Sequence, residues 1–294
     1  MAHVITVPSS LDDLTFEQVL DQVAAVPADA VLTVDARHTE WASPFGLTAL
    51  LALAQTRRPR PVFLPPEKED TASHWARSHF FRHAAGLYEI NGRVPVQREE
   101  RESGTLLEIT PVSRNDDVHT VIVRIQGNAA HILTQNLHLD SRAVMGFAMT
   151  LSEICQTMIE DSGGTAWVAV QNFSYRKRMG RHVVQMAVCS SGRTVRESLE
   201  LKGERPANDR WDDGVALETA IIQGTSRFEA HGRGQGFKGI RGYLRKWQGK
   251  LSVRSGTARV ADVPAWDDDV VHKDNLAPFP GIQVQIMIPE AVVG

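Results

Sequence analysis

The chain of 294 residues is 42% hydrophobic and 23% charged with a formal net charge of -3, the balance of a globular protein long enough for one large or two ordinary domains. A slightly acidic chain lacks the basic excess on which phosphate-backbone binding depends, so a dedicated nucleic-acid binder is not expected. No apolar run approaches bilayer length, and the opening MAHVITVPSS lacks a charged segment followed by an apolar one; a cytoplasmic protein with no membrane partner is expected.

In chain order, LTFEQVLDQVAAV has the apolar spacing of a helix, AVLTVDA that of a short buried strand, and PFGLTALLALAQTR that of an apolar helix opened by Pro44. RPVFLPP reads as a second short strand ended by proline. Strands alternating with helices imply an open α/β layer over residues 1–97. The charged, turn-prone stretch at 98–104 reads as a linker.

Beyond it, TLLEITP and HTVIVRIQG read as strands, followed by a helix from about Arg142 to Glu160. TAWVAVQNF and HVVQMAVCS read as strands, and a helix is expected near Leu217 to Ile222. A glycine-rich stretch, HGRGQGFKGIRGYLRKW, then opens another helix, and KLSVRSG and IQVQIMIP close the chain as strands. The pattern over 105–294 implies an α+β sandwich, a mixed sheet with helices on one face. Cys155 and Cys189 lie in apolar runs and read as buried thiols of a reducing compartment.

Three stretches in this second region, FAMTLSEICQTMIEDSGGTAWVAV, VVQMAVCSSGRTVRESL and GRGQGFKGIRGYLRKWQGKLSVRSG, resemble in order and spacing the GHKL ATPase superfamily of sensor histidine kinases, gyrase B and anti-sigma factor kinases. The resemblance covers roughly Leu106 to Pro289 and implies a Bergerat-type α/β sandwich. It also implies a nucleotide site. Glu153 would orient or activate water or a hydroxyl, and Thr157 stands where the family has its magnesium-binding asparagine. A threonine hydroxyl is a shorter and weaker magnesium ligand than an amide carbonyl. Ser190 stands where the family has the aspartate that accepts from the adenine amino group, Gly192 keeps the first glycine of that motif, and Thr194 replaces the second. Losing such an acceptor costs about 1.5 to 3 kcal/mol.

Gly232, Gly234 and Gly236, with Lys238 close by, preserve the third motif, whose exposed backbone N–H groups before a helix favour an anion. The polar stretch LKGERPANDRWDDG falls where the family has a lid, with Arg205 and Arg210 as its cations. Lys238, Arg241 and Arg245 recur at helical spacing as a basic stripe, read as a solvated helix face or an acidic-partner or nucleic-acid surface.

The stretch VLTVDARHTEWASPFGLTALLALAQ resembles the STAS fold of anti-sigma factor antagonists over about Met1 to Ile90. That family carries a phosphorylatable serine directly before the helix-opening glycine. Here Phe45 holds that place and Ser43 lies two positions further out, where its ordinary role is to cap the helix. The resemblance therefore implies a docking or dimerisation module without the usual phospho-switch.

In SHFFRH, His79 and His83 stand four apart and would share a helix face, but Phe80 stands where the zinc-protease motif has glutamate and His74 points elsewhere, so an amphipathic helix rather than a metal site is expected. Nucleophile elbows and paired catalytic carboxylates are lacking. The expectation is a regulator acting on an unidentified protein partner, with a homodimer implied by the resemblance and with ATP and magnesium bound weakly or not at all. The alternatives are an active Mg–ATP-dependent ATPase or serine kinase, and, behind it, a nucleic-acid-associated ATPase.

Overall fold

The computed structural model describes residues 3–95, 105–124, 133–134, 138, 140–162, 164–174, 180–201, 211–223 and 236–291. The expected linker at 98–104 lies outside them.

The first region runs β1 (His3–Thr6), β2 (Ser10–Leu11), α1 (Phe16–Ala24), β3 (Leu32–Asp35), β4 (Trp41–Ala42), α2 (Pro44–Gln55), β5 (Val62–Leu64), α3 (Glu69–Arg77), α4 (Phe80–Leu87) and β6 (Glu89–Ile90). Four strands form a parallel sheet in the order β1-β3-β5-β6, and β2 pairs with β4. Parallel pairing requires crossovers, and α1, α2 and the α3–α4 pair supply them. Phe16, Val19 and Leu20 give α1 its buried stripe. In α2 every residue from Pro44 to Ala54 is buried, so this helix has no water-facing side and must lie between two layers. Ser43 starts it as expected: its buried hydroxyl accepts from Gly46 N at 3.1 Å.

The second region runs β7 (Thr105–Val112), α5 (Asn115–Arg124), α6 (Ser141–Ser162), β8 (Ala166–Ser174), β9 (His182–Ser190), α7 (Val195–Glu200), α8 (Asp213–Glu218), a π-turn (Thr219–Gln223), α9 (Gly236–Lys246), β10 (Lys250–Gly256), β11 (Ala258–Asp262), β12 (His272–Lys273) and β13 (Phe279–Pro289). The sheet order is β12-β11-β10-β13-β9-β8-β7. Every described pairing is antiparallel, where a mixed sheet was expected. The hairpins β8–β9 and β10–β11 and the return of β13 between them account for this pattern.

A second difference concerns HTVIVRIQG: its first six residues, HTVIVR, lie in helix α5 rather than a strand, and the rest lies outside the described residues. Its β-branched run favours a strand locally. Asp117 nevertheless accepts from Ser113 N and Arg114 N at the helix start, and Val118 and Val121, three apart, bury together in the core. Tertiary burial on a helical period outweighs local preference.

The sheet is also covered on both faces rather than one. Beneath α5, α6, α7 and α9 lies a core of inward residues such as Val168, Val170, Val188, Val253 and Ile286. On the opposite face, Trp167, Ala169, Ala187, Cys189 and Phe279 join the core of the first region, with α2 packed on β8, β9 and β13. Polar contacts accompany this packing. Thr48 Oγ1 donates to Cys189 Sγ at 3.3 Å, and Gln55 Oε1 accepts from Trp167 Nε1 and Ser191 Oγ, each at 3.1 Å.

Candidate functional site

Helix α6 forms because Phe147, Leu151, Ile154 and Met158 recur at helical spacing and bury against the sheet. Glu153 and Thr157 flank that stripe and are half-buried. Cys155 lies within the stripe, and burial pushes its thiol up to about 12, which keeps it protonated and unreactive at neutral pH.

At the end of β9, Ser190 is fully buried beside this helix, its hydroxyl 3.9 Å from Met158 Sδ. The same hydroxyl accepts from Ile282 N at 3.1 Å and donates to Ile282 O at 3.2 Å. Gln283 Nε2 donates to Ser190 O at 2.9 Å. The approach of β13 here depends on Gly281, which adopts φ +81° and whose Cα would carry a Cβ only 2.3 Å from Ser190 O. Both the left-handed backbone and the contact require glycine. Ser190 thus closes a strand junction.

Thr194, at the second-glycine position, also has a structural employment. Its hydroxyl accepts from Glu197 N at 3.2 Å while Glu197 Oε2 accepts from Thr194 N at 2.7 Å, a reciprocal cap that starts α7. Gly192 lies near the turn after α6: a Cβ on Gly164 would sit 3.9 Å from both Gly192 Cα and Gly192 N. Helix α9 meets α6 where Tyr243 lies over Gly146, leaving no room for a Cβ. The three stretches therefore border one helix layer. Gly236 is the first residue of α9; Gly232, Gly234, Arg205, Arg210 and the Lys238 side chain lie outside the described residues.

Of the basic stripe, Arg241 is turned inward and Arg245 remains exposed. Arg241 and Arg245 both pair with Asp262, at 3.3 and 3.1 Å. Burial alone would raise the Asp262 carboxyl, yet these two guanidinium groups outweigh it and hold it below its ordinary value. Further along, Arg254 donates to both carboxylate oxygens of Glu17, at 2.7 and 3.2 Å, across the two regions.

The two histidines do not both lie within one helix: His79 precedes α4 and His83 lies in it. His79 takes a left-handed backbone, φ 64°, and ends the continuity between α3 and α4. His83 Nε2 bonds the Ile109 carbonyl at 2.8 Å and its ring lies 5.1 Å from Trp167. Burial lowers the pKa of both. Among the described residues no group of three or more His, Cys, Asp or Glu is arranged to hold a metal.

A second polar site was missed by sequence reasoning. Lys250, Ser252 and Arg254 alternate along β10 and look like a solvent-facing edge, but all are buried under the β2–α1 connection. Lys250 Nζ lies 3.1 Å from Asp267 and 2.9 Å from Asp269. Arg259 holds Asp269 with two nitrogens and lies 3.7 Å from Asp13 Oδ2. Burial would raise Asp269, but hydrogen bonds from Arg259 and Lys250 reverse it and keep the carboxyl well below the usual range. Asp13 goes the other way: burial raises it, against the pull of Lys250 and Arg259. The paired acids in LDDL and WDDD were the available signal. Compared with known proteins, the chain matches no family model and no curated protein. None of its described helices is long and apolar enough to cross a membrane.

Proposed function

We propose that the chain is a regulatory protein acting through protein–protein contacts, with a STAS-like first region and a GHKL-type second region that binds ATP weakly or not at all. The observation that carries this reading is the Ser190 hydroxyl. It occupies the position where the GHKL resemblance requires a free carboxylate for adenine, and it is buried with both hydrogen-bonding roles engaged by Ile282. A base arriving there finds no unengaged acceptor, and the lost contact corresponds to roughly one to two decades in affinity.

Other features support the same reading. Thr157 offers magnesium only a hydroxyl, and Thr194 serves as a helix cap. Asp262 offsets one of the two positive charges of Arg241 and Arg245, which weakens the case for a nucleic-acid-associated ATPase. In the first region, the buried Ser43 hydroxyl is occupied by Gly46 N, in keeping with a module that docks without a phosphorylation switch. A homodimer through this module is part of the proposal.

Calorimetric titration of the full chain with Mg–ATP tests it. The reading predicts no saturable heat below millimolar ATP. Low-micromolar binding, with turnover that Glu153→Ala abolishes while binding persists, would establish the ATPase or kinase alternative instead.

A further inference from the structure

Where the β2–α1 connection covers the polar half of the antiparallel sheet, a cavity of about 330 Å³ remains between them. Its walls carry three carboxylates, Asp12, Asp13 and Asp267, against one ammonium, Lys250. That ammonium is already engaged by Asp267 and Asp269. The nearest guanidinium, Arg259, is committed to Asp269 and stays 3.7 Å from Asp13 Oδ2, too far for a hydrogen bond.

Two buried acceptor atoms on this cavity make no hydrogen bond, although the Gln285 side chain also lies against the Asp13 carboxyl. Asp13, 6% exposed, has no hydrogen bond to Oδ2, and Gln185, 2% exposed, has none to Oε1. The Gln185 amide nitrogen is turned the other way, donating to Gln285 Oε1. Buried acceptors without donors are costly, so an occupant bearing N–H groups is favoured there. Burial raises the Asp13 pKa against the pull of Lys250 and Arg259.

The remaining wall is aromatic. Trp41 and Phe173 meet edge to face with ring centroids 5.9 Å apart, and Trp41 is 37% exposed, so the rings stand at the entrance. Net negative charge, unpaired acceptors and aromatic faces together select an organic cation rather than an anion or a bare metal ion.

We propose that this cavity binds an organic cation, a primary ammonium or guanidinium group on a short apolar stem. Its N–H groups donate to Asp13 and Gln185, and its stem lies against Trp41 and Phe173. Such a group belongs either to a free amine or to a lysine or arginine side chain of another protein.

The test is calorimetric titration of the full chain with n-butylamine and agmatine, with n-butanol as the neutral control, and with a capped Gly-Gly-Arg-Gly-Gly peptide. The proposal predicts saturable binding of the cations, none of butanol, and roughly tenfold weaker binding in Asp13→Asn, equivalent to about 1.4 kcal/mol. Asp13→Asn disturbs a buried charge cluster, so Trp41→Ala, at the entrance, is the second variant. It should weaken binding several-fold with an unchanged thermal melt. Tighter binding of agmatine than of the peptide would identify a free amine, and the reverse would identify a partner's side chain. Butanol binding as well as butylamine, cations giving no saturable heat, or Trp41→Ala leaving affinity intact would each overturn the proposal. Nucleotide enters none of these titrations, so their outcome is independent of the regulatory reading.

Discussion

The two halves of the sheet's outer face meet the first region by different physics. Under α2 lie Ala169, Ala187, Cys189 and Trp167, small or apolar residues that accept an all-buried helix. Under the β2–α1 connection lie Lys250, Arg254 and Arg259, bound to Asp269, Asp267 and Glu17. Burying apolar area is favourable wherever shapes fit. Burying charge is tolerated only while every partner is present. The first half therefore supplies adhesion, and the second fixes which loop lies where.

The contrast is sharpest in single substitutions. Asp269→Ala leaves two buried cations short of a partner and should cost about 3 to 5 kcal/mol, read by urea unfolding. Leu50→Ala, in the centre of α2, should cost about 2 to 5 kcal/mol by cavity formation. The two differ in pH response: the Asp269 contribution is present above the unfolded carboxylate value near 3.8 and is lost as pH falls toward its depressed folded value. A Leu50→Ala deficit should show no such dependence. If both variants lose stability in parallel across pH 2 to about 7, the distinction between the halves fails.

At the strand junction above the apolar half, Gly281→Ala should cost about 1 to 3 kcal/mol from backbone strain alone, with further loss from contact with Ser190 O. Ser43→Ala, which removes only the α2 cap, should cost about 1 kcal/mol. Both are read as shifts in unfolding midpoint.

The smallest effect lies at the sheet edge. His272 has carboxylates on both ring nitrogens, Glu218 and Asp274, each at 2.8 Å. Partial burial opposes its charge, but the two carboxylates outweigh that and raise its pKa. Its contribution is therefore full below about 6.5 and is lost as pH rises through the folded value. NMR titration of the imidazole should give a midpoint above that of a free histidine, and Asp274→Asn should lower it.

Much of the architecture was legible because the periodicity was strong. The stripe of α6, the continuous apolar runs of β8 and β9, and the proline-opened α2 were each readable from a few consecutive turns or residues. Helix α5 was not, since Val121, Ile122 and Val123 favour a strand until Val118 and Val121 find the core. The polar outer half was hidden for a different reason. Alternation at Lys250, Ser252 and Arg254 reports an amphipathic strand but not what covers its polar side. The partner of Arg254 is Glu17, 237 residues away, and the same distance in sequence conceals the Asp13 cavity. Of the candidate nucleotide residues, Glu153, Thr157, Ser190, Gly192 and Gly236 lie in described elements or turns; the engagement of Ser190 by β13 depends on a strand pairing that local pattern does not encode.

The most direct test is amide hydrogen exchange of the full chain with and without millimolar Mg–ATP. The account predicts slow exchange in β9 and β10 beneath both halves of the first region, and no ATP-dependent protection in α6 around Glu153 or at the end of β9. Strong new protection at those amides on adding nucleotide would contradict it.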